Sequence, residues 1–209
     1  MNPIQTNSME KITLTDMLRA RLRFIIDPIV TFLARYRLSP DVLTVLGMVS
    51  HFLFAWLIAL GQFQWAAVAI AIISPLDALD GALARKLGRK QGGFGAFLDS
   101  TLDRLAEIIL FGGFIWYYMG EGDAMMLAMA YVTVTGSLMI SYARARAEAL
   151  GLSAKVGLLS RVERYVVLTI FLFLNIPHVA LIIMAVLTYV TVGQRMFHVW
   201  RQSVQVDEA

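Results

Sequence analysis

The sequence predicts an all-α membrane protein: six transmembrane helices, preceded by an amphipathic helix at the membrane interface. Three observations carry this prediction. The 209 residues are 58% hydrophobic and only 16% charged, with a mean hydropathy of +0.68. Soluble domains run at about 45–50% apolar and about 25% charged. The apolar residues gather into stretches of about 20, the length that crosses a bilayer as a helix. Lysines and arginines avoid every second gap between those stretches.

The N-terminal element is Thr15–Tyr36. Leu18, Leu22, Ile25, Ile26, Ile29, Phe32 and Leu33 share one face, and Arg19, Arg23 and Arg35 are interleaved. A helix with an apolar stripe and a basic face lies in the interface rather than spanning it. The first 40 residues lack the compact apolar core and small-residue cleavage site of a signal peptide. The predicted spans are Val42–Leu60, Phe63–Leu83, Phe94–Met119, Ala124–Tyr142, Tyr165–Leu174 with an N-terminal extension, and Val179–Trp200. Asn175-Ile176-Pro177-His178 is the turn between the last two. The domain plan is an N-terminal segment (1–38), a six-helix domain (39–201) and a short polar tail (202–209).

The gaps at 61–64 and 175–178 carry no Lys, Arg, Asp or Glu, and the gap at 120–123 carries only Glu121 and Asp123. The cations lie at 11–37, 85–104, 144–164 and 195–201. Six spans put all of these on one side, which the positive-inside rule makes cytoplasmic. Both termini, and the polar segments described next, are then expected in the cytoplasm.

Composition removes several function classes. There is no cysteine, so disulfides, thiolate metal sites and thiol catalysis are excluded. His51, His178 and His198 are far apart and lack zinc-ligand spacing. They read as satisfied or interfacial histidines. A pI near 9.3 suits an anionic membrane surface or anionic substrate, and the apolar excess argues against a nucleic-acid partner.

The chemistry is carried by acids inside apolar segments, where a charge is costly and functional by default. Asp77 and Asp80 are spaced i, i+3, and Asp99 and Asp103 i, i+4, so each pair projects from one helix face. Two such helices side by side would gather four carboxylates, which need a counter-charge to stay ionised together. One or two divalent cations supply it, and oxygen-only ligation favours Mg²⁺, Mn²⁺ or Ca²⁺. Gly81 and Ala84 leave room on that face for a ligand or a close helix. Arg85 can clamp a phosphate bidentately. Metal, arginine and carboxylate together equip a site for phosphoryl transfer. Two other readings compete: a structural ion-pair network with Arg85 and Arg104, and a divalent-cation transporter. A buried ion cluster is an inefficient source of stability, and arginines beside the acids would repel a permeating cation.

The pattern Asp77-x2-Asp80-Gly81-x2-Ala84-Arg85-x9-Gly95-x3-Asp99-x3-Asp103 resembles the signature of the CDP-alcohol phosphatidyltransferase family. The six spans and the interfacial helix resemble that family too. The usual gap between the Arg and the second Gly is eight residues; here it is nine. The resemblance implies displacement of CMP from a CDP-linked lipid by an alcohol. It implies that Asp77, Asp80 and Asp99 hold one metal ion, and that Asp103 joins a second and acts as general base. Magnesium, or manganese, is the implied cofactor, with two ions. Gly81 would lie against the cytidine and Arg85 against the diphosphate. Ser39-Pro40-Asp41-Val42-Leu43-Thr44 resembles the family's other nucleotide-contacting turn, through Asp41 and Thr44. It also reads as a helix start, with Ser39 capping and Pro40 at the first position. A membrane homodimer is implied as well.

The acceptor alcohol is read from the remaining arginines. Arg144 and Arg146 end the fourth predicted span, Arg161 and Arg164 open the fifth, and Arg195 sits inside the sixth; a cluster of arginines from three helices suits a second phosphate, carried by the acceptor. Arg161 and Lys155 read as a solvated cytoplasmic edge. Segments 141–148 and 160–164, the 39–44 turn and Val192-Gly193-Gln194-Arg195 resemble the phosphatidylinositol phosphate synthase branch. There, Arg144, Arg164 and Arg195 would bind inositol phosphate, with Arg144 standing where a lysine is usual. The expected reaction transfers a phosphatidyl group from CDP-diacylglycerol to inositol phosphate; glycerol 3-phosphate is the rival acceptor. Glu107, one turn beyond Asp103, belongs to no motif. It is a candidate partner for Arg104 or for an acceptor-site arginine.

Overall fold

The computed structural model describes residues 26–88 and 93–207, without the side chains of 76–78 and 205–207. The first half of the predicted interfacial helix, the loop at 89–92 and the side chain of Asp77 therefore lie outside the described residues. Within them every regular element is a helix. Helix α1 covers 26–35. It is followed by α2 (Pro40–Ala59), α3 (Phe63–Ile73), a 3₁₀ turn (Ser74–Leu76), α4 (Asp77–Lys86), α5 (Gly93–Gly120), α6 (Ala124–Ala149), α7 (Arg161–Phe173) and α8 (Pro177–Asp207).

Three of these helices are long and apolar enough to cross a membrane: α2, α6 and the 177–204 part of α8. The predicted second span is not one helix. Pro75 lacks an amide hydrogen and its ring clashes with the preceding turn, so the segment breaks at Ser74–Leu76 and restarts at Asp77. Helix α5 is long, about 42 Å at 1.5 Å per residue, but its first turns carry Asp99, Asp103 and Arg104.

The termini of these helices follow local chemistry. Helix α2 begins at Pro40 as expected. The Ser39 side chain makes no cap bond to the helix backbone; its hydroxyl donates to Asp41 Oδ2 at 3.1 Å instead. Asp123, read only as a charge in a gap, caps α6 by accepting from the Met126 amide at 3.0 Å. Asn175, at φ 59°, supplies the left-handed residue that turns α7 into α8. Helix α8 runs on to Asp207, so the expected tail is mostly a helical extension.

Helix α1 buries Ile26 and Val30 in a cluster with Leu79 and Leu83 of α4, flanked by Leu33 and Leu43. The docked stripe is thus 26 and 30, with a partly buried Leu33. Ile29 and Phe32, expected on the same apolar face, point outward. Docking on α4 takes the neighbouring stripe, and Lys86 Nζ donates to Thr31 Oγ1 at 2.5 Å beside it.

The main core joins α2, α3, α5, α6, α7 and α8 through residues such as Phe54, Ile58, Ile70, Leu110, Phe114, Leu168, Leu172 and Leu181. Helices α2 and α5 form the most extensive pair, followed by α6 with α8. Small residues let both pairs close, as expected where lipid competes for apolar contact. A Cβ at Gly113 would fall 2.5 Å from the Ala55 carbonyl oxygen, and one at Gly136 would fall 2.8 Å from Thr188 Cβ. Gly113→Ala is therefore expected to lower stability by about 1–3 kcal/mol, the cost of overpacking. Gly112→Ala, whose Cβ meets nothing within 4 Å, is the control. Thermal unfolding of the two variants in detergent compares them.

Candidate active site

Helices α2, α4, α5 and α7 each bring a short polar segment to one pocket. Thr44, Asp80, Asp99, Asp103 and Arg161 line it, with His51 and Met48 behind them. Helix geometry explains the set. Asp99 and Asp103 are one turn apart on α5, Asp80 lies just after the break that starts α4, and Thr44 follows the Pro40 start of α2.

Asp80 is held on both oxygens. Thr44 Oγ1 donates to Oδ2 at 2.7 Å, and the Gly81 amide donates to Oδ1 at 2.5 Å. The start of α2 is thus tied to Asp80 of α4 across 36 residues of sequence. Gly95 lies against the same turn, since a Cβ there would sit 3.4 Å from Asp41 Oδ1. Gly81 has Arg85 Nη1 beside it, 3.5 Å from where its Cβ would be. The structure therefore brings Asp41, Thr44, Asp80, Gly81, Arg85, Asp99 and Asp103 to neighbouring positions on three helices.

Asp103 is ion-paired with Arg161. Arg104 lies 3.9 Å from the same carboxylate and turns back to the Ser100 carbonyl. The expectation that Arg161 is only a solvated edge residue is corrected here. It is partly buried and its charge is matched to the predicted base. The Arg161 guanidinium also sits over the Tyr165 ring, 5.6 Å from its centroid, at cation–π distance. The Tyr165 hydroxyl is 2.7 Å from His51 Nε2, and His51 Nδ1 is 2.8 Å from the Gly47 carbonyl. A carbonyl only accepts, so Nδ1 donates and Nε2 accepts from Tyr165. His51 is a satisfied histidine, as the sequence suggests, and it braces the residue beneath Arg161.

One turn deeper, Glu107 answers the question its sequence position leaves open. Its Oε1 accepts from Arg164 Nη2 at 2.5 Å, and its Oε2 accepts from the Ser137 hydroxyl. All three residues are buried. The partner is thus Arg164, one of the arginines predicted for the acceptor, rather than Arg104. Arg161 and Arg164 are i, i+3 on α7, facing Asp103 and Glu107, i, i+4 on α5. That complementary spacing is visible in the sequence and is the signal that identifies Arg161.

The other two arginines predicted for the acceptor differ. Arg195 is buried and donates to the Ile140 carbonyl at 2.6 Å and the Val156 carbonyl at 3.0 Å. It is close enough to Arg144 and Arg164 for their charges to act on it. Arg144 is exposed and pairs with Glu148 at 2.8 Å. The segment 151–160 is laid along α8, with the Leu159 amide on Thr191 Oγ1 at 3.2 Å and the Leu158 amide on Gln194 Oε1 at 3.1 Å.

The donor set suits a hard divalent cation. The described carboxylates of the pocket offer only oxygen, which is the preference of magnesium and manganese. Among the described residues no three acids or histidines are already drawn into a closed cage; Asp80 is turned to Thr44 and Asp103 to Arg161.

Residues 37–193 match the family described as CDP-alcohol phosphatidyltransferase. The chain belongs to that family. As a CDP-alcohol phosphatidyltransferase it is an enzyme, and the transporter reading is set aside. The phosphatidylinositol phosphate synthase of Streptomyces avermitilis is 36% identical, across 98% of this chain and 89% of the relative. The archaetidylinositol phosphate synthase of Pyrococcus horikoshii is 35% identical, across 79% and 85%. The crystal structure of Mycobacterium tuberculosis phosphatidylinositol phosphate synthase with CDP-DAG bound superposes with a TM-score of 0.78 at 32% identity, covering 84% of this phosphatidyltransferase and 94% of that chain. The same mycobacterial enzyme in complex with manganese and citrate gives 0.78 at 31% identity, covering 84% and 88%.

Proposed function

We propose that this phosphatidyltransferase moves the phosphatidyl group of CDP-diacylglycerol to a hydroxyl of an inositol phosphate and releases CMP. The observation that carries the reading is one arrangement. The acid pocket of α4 and α5 adjoins, through α7, a group of arginines from α6, α7 and α8. Relatives at 33–39% identity that bear the phosphatidylinositol phosphate synthase name support it.

The roles follow from charge and position. Asp77, Asp80, Asp99 and Asp103 would hold the metal, two ions of magnesium or manganese. Bound there, the metal would neutralise the diphosphate and the departing CMP. Arg85 clamps the diphosphate. Gly81, without a side chain, lets the cytidine approach, and Asp41 and Thr44 contact the nucleotide from α2. Arg144, Arg164 and Arg195 bind the acceptor phosphate. Asp103 takes the proton of the attacking hydroxyl. The acceptor oxygen then bonds to the phosphorus that bears the diacylglycerol, and the bond from that phosphorus to CMP breaks. Six spans, with the active site and both termini on the cytoplasmic side, go with this reading, because the cation-bearing gaps and the acid pocket then share the side that the positive-inside rule makes cytoplasmic. A homodimer in the membrane completes the proposal.

The test supplies purified protein with CDP-diacylglycerol and, separately, inositol phosphate, inositol, glycerol 3-phosphate and serine, and measures CMP release. Release with inositol phosphate alone is the expected result; preference for glycerol 3-phosphate overturns the acceptor. EDTA is expected to abolish release, with recovery on adding back Mg²⁺ or Mn²⁺. Activity that survives exhaustive chelation would remove the metal from the mechanism.

A further inference from the structure

We infer that Glu107, with Ser137, is the positioning residue that aims Arg164 at the acceptor phosphate. The inference rests on the acceptor reading above. Three observations point to it. Glu107 is 3% exposed, and its carboxylate is met on both oxygens, by Arg164 Nη2 at 2.5 Å and by the Ser137 hydroxyl. Arg164 is equally buried, and its Nη1 donates to the Leu159 carbonyl at 3.3 Å. Leu159 belongs to the segment whose Val156 carbonyl accepts from Arg195. The two arginines are therefore fixed to one short stretch of backbone, and Arg164 is gripped on its other side by Glu107.

A guanidinium has five N–H donors in a rigid fork. The bonds to Glu107 and Leu159 engage one hydrogen on each terminal nitrogen and leave capacity for an anion. Held on two sides, the fork is fixed in angle, and a fixed fork discriminates among anions by geometry. A neutralising carboxylate with no positioning role would weaken attraction to a phosphate, so its removal would tighten acceptor binding. A positioning carboxylate predicts the opposite sign.

The experiment measures KM and kcat for inositol phosphate and for CDP-diacylglycerol in Glu107→Gln, Glu107→Asp, Ser137→Ala, Arg164→Ala and the Glu107→Gln/Arg164→Ala double variant. Glu107→Gln is expected to raise the acceptor KM about tenfold, the scale of one charge-assisted hydrogen bond, with the donor KM unchanged. Glu107→Asp, which keeps the charge, is expected to recover part of the loss. In the Arg164→Ala background, Glu107→Gln is expected to add nothing. Ser137→Ala gives the same direction at about threefold and carries the test if the Glu107 variants do not fold. An unchanged or lowered acceptor KM in Glu107→Gln, or an equal rise in both KM values, overturns the assignment. If Arg164→Ala itself leaves the acceptor KM unchanged, the acceptor reading of Arg164 falls, and the role of Glu107 with it.

Discussion

Asp103→Asn is expected to abolish CMP release, by at least about 10²–10⁴-fold, the contribution of a positioned general base. CDP-diacylglycerol should still bind, because the other acids, Arg85 and the 39–44 turn remain. The structure adds a reason to expect a clean result. Asparagine keeps the shape of Asp103 and can still accept one hydrogen bond from Arg161, its ion-pair partner. The local packing therefore has no cause to collapse. Turnover measured beside CDP-lipid binding, by ligand-induced thermal stabilisation in detergent, separates chemistry from recognition. Retained turnover would take the base role away from Asp103.

The second large effect is expected at Arg195. Arg195→Ala should raise the acceptor KM by about ten- to a hundredfold, from the loss of a charged hydrogen bond, and leave the donor KM near its original value. Arg195 also donates to two backbone carbonyls, Ile140 on α6 and Val156 in the following segment. Part of the loss will therefore come from loosening the segment that leads into Arg161 and Arg164. Arg195→Lys separates the contributions: it keeps a charge but cannot reach both carbonyls with a planar fork. Steady-state kinetics on the two variants, varying each substrate in turn, make the check. A change confined to the donor KM would assign Arg195 to the diphosphate instead.

Much of the architecture is legible in the sequence. Apolar runs and the exclusion of cations from alternate gaps locate α2, α5 and α7 to within about four residues, and find α6 and α8 with C-terminal ends placed about seven residues early, where the helices run on as polar, charged turns. The aspartate spacing names the acid pocket before any coordinates do. The less legible parts have physical causes. Hydropathy averaged along the segment does not show the break at Pro75, because Ala78, Leu79, Ala82 and Leu83 continue the apolar run around Asp77 and Asp80. The docked stripe of α1 has ordinary helical spacing (26, 30, 33), but Ile29 and Phe32 beside it are equally apolar, so the sequence does not show which stripe meets α4, a partner distant in the chain. Ser39 illustrates a subtler miss: position and residue type both suit a cap, yet a nearby carboxylate, Asp41, offers the hydroxyl a charged acceptor. The role of Arg161 was hidden because a basic residue at a helix start resembles a solvated edge. Only the matching 103/107 and 161/164 intervals reveal two facing rungs.

Those two rungs bear on how the helices are set at the right height. Two apolar helices in lipid can slide past one another with little change in contact, since lipid tails are as apolar as their side chains. Polar pairs are what fix their register. A slip of one turn would put Asp103 opposite Arg164 and take Glu107 from its buried partner. The vertical offset between Asp103 and Arg164 is thereby held at one helical turn, about 5–6 Å. On the proposed roles, that offset acts as a ruler. It suits an acceptor whose phosphate and attacking hydroxyl are separated by a comparable length, and it handicaps shorter or longer ones even when every charge is matched.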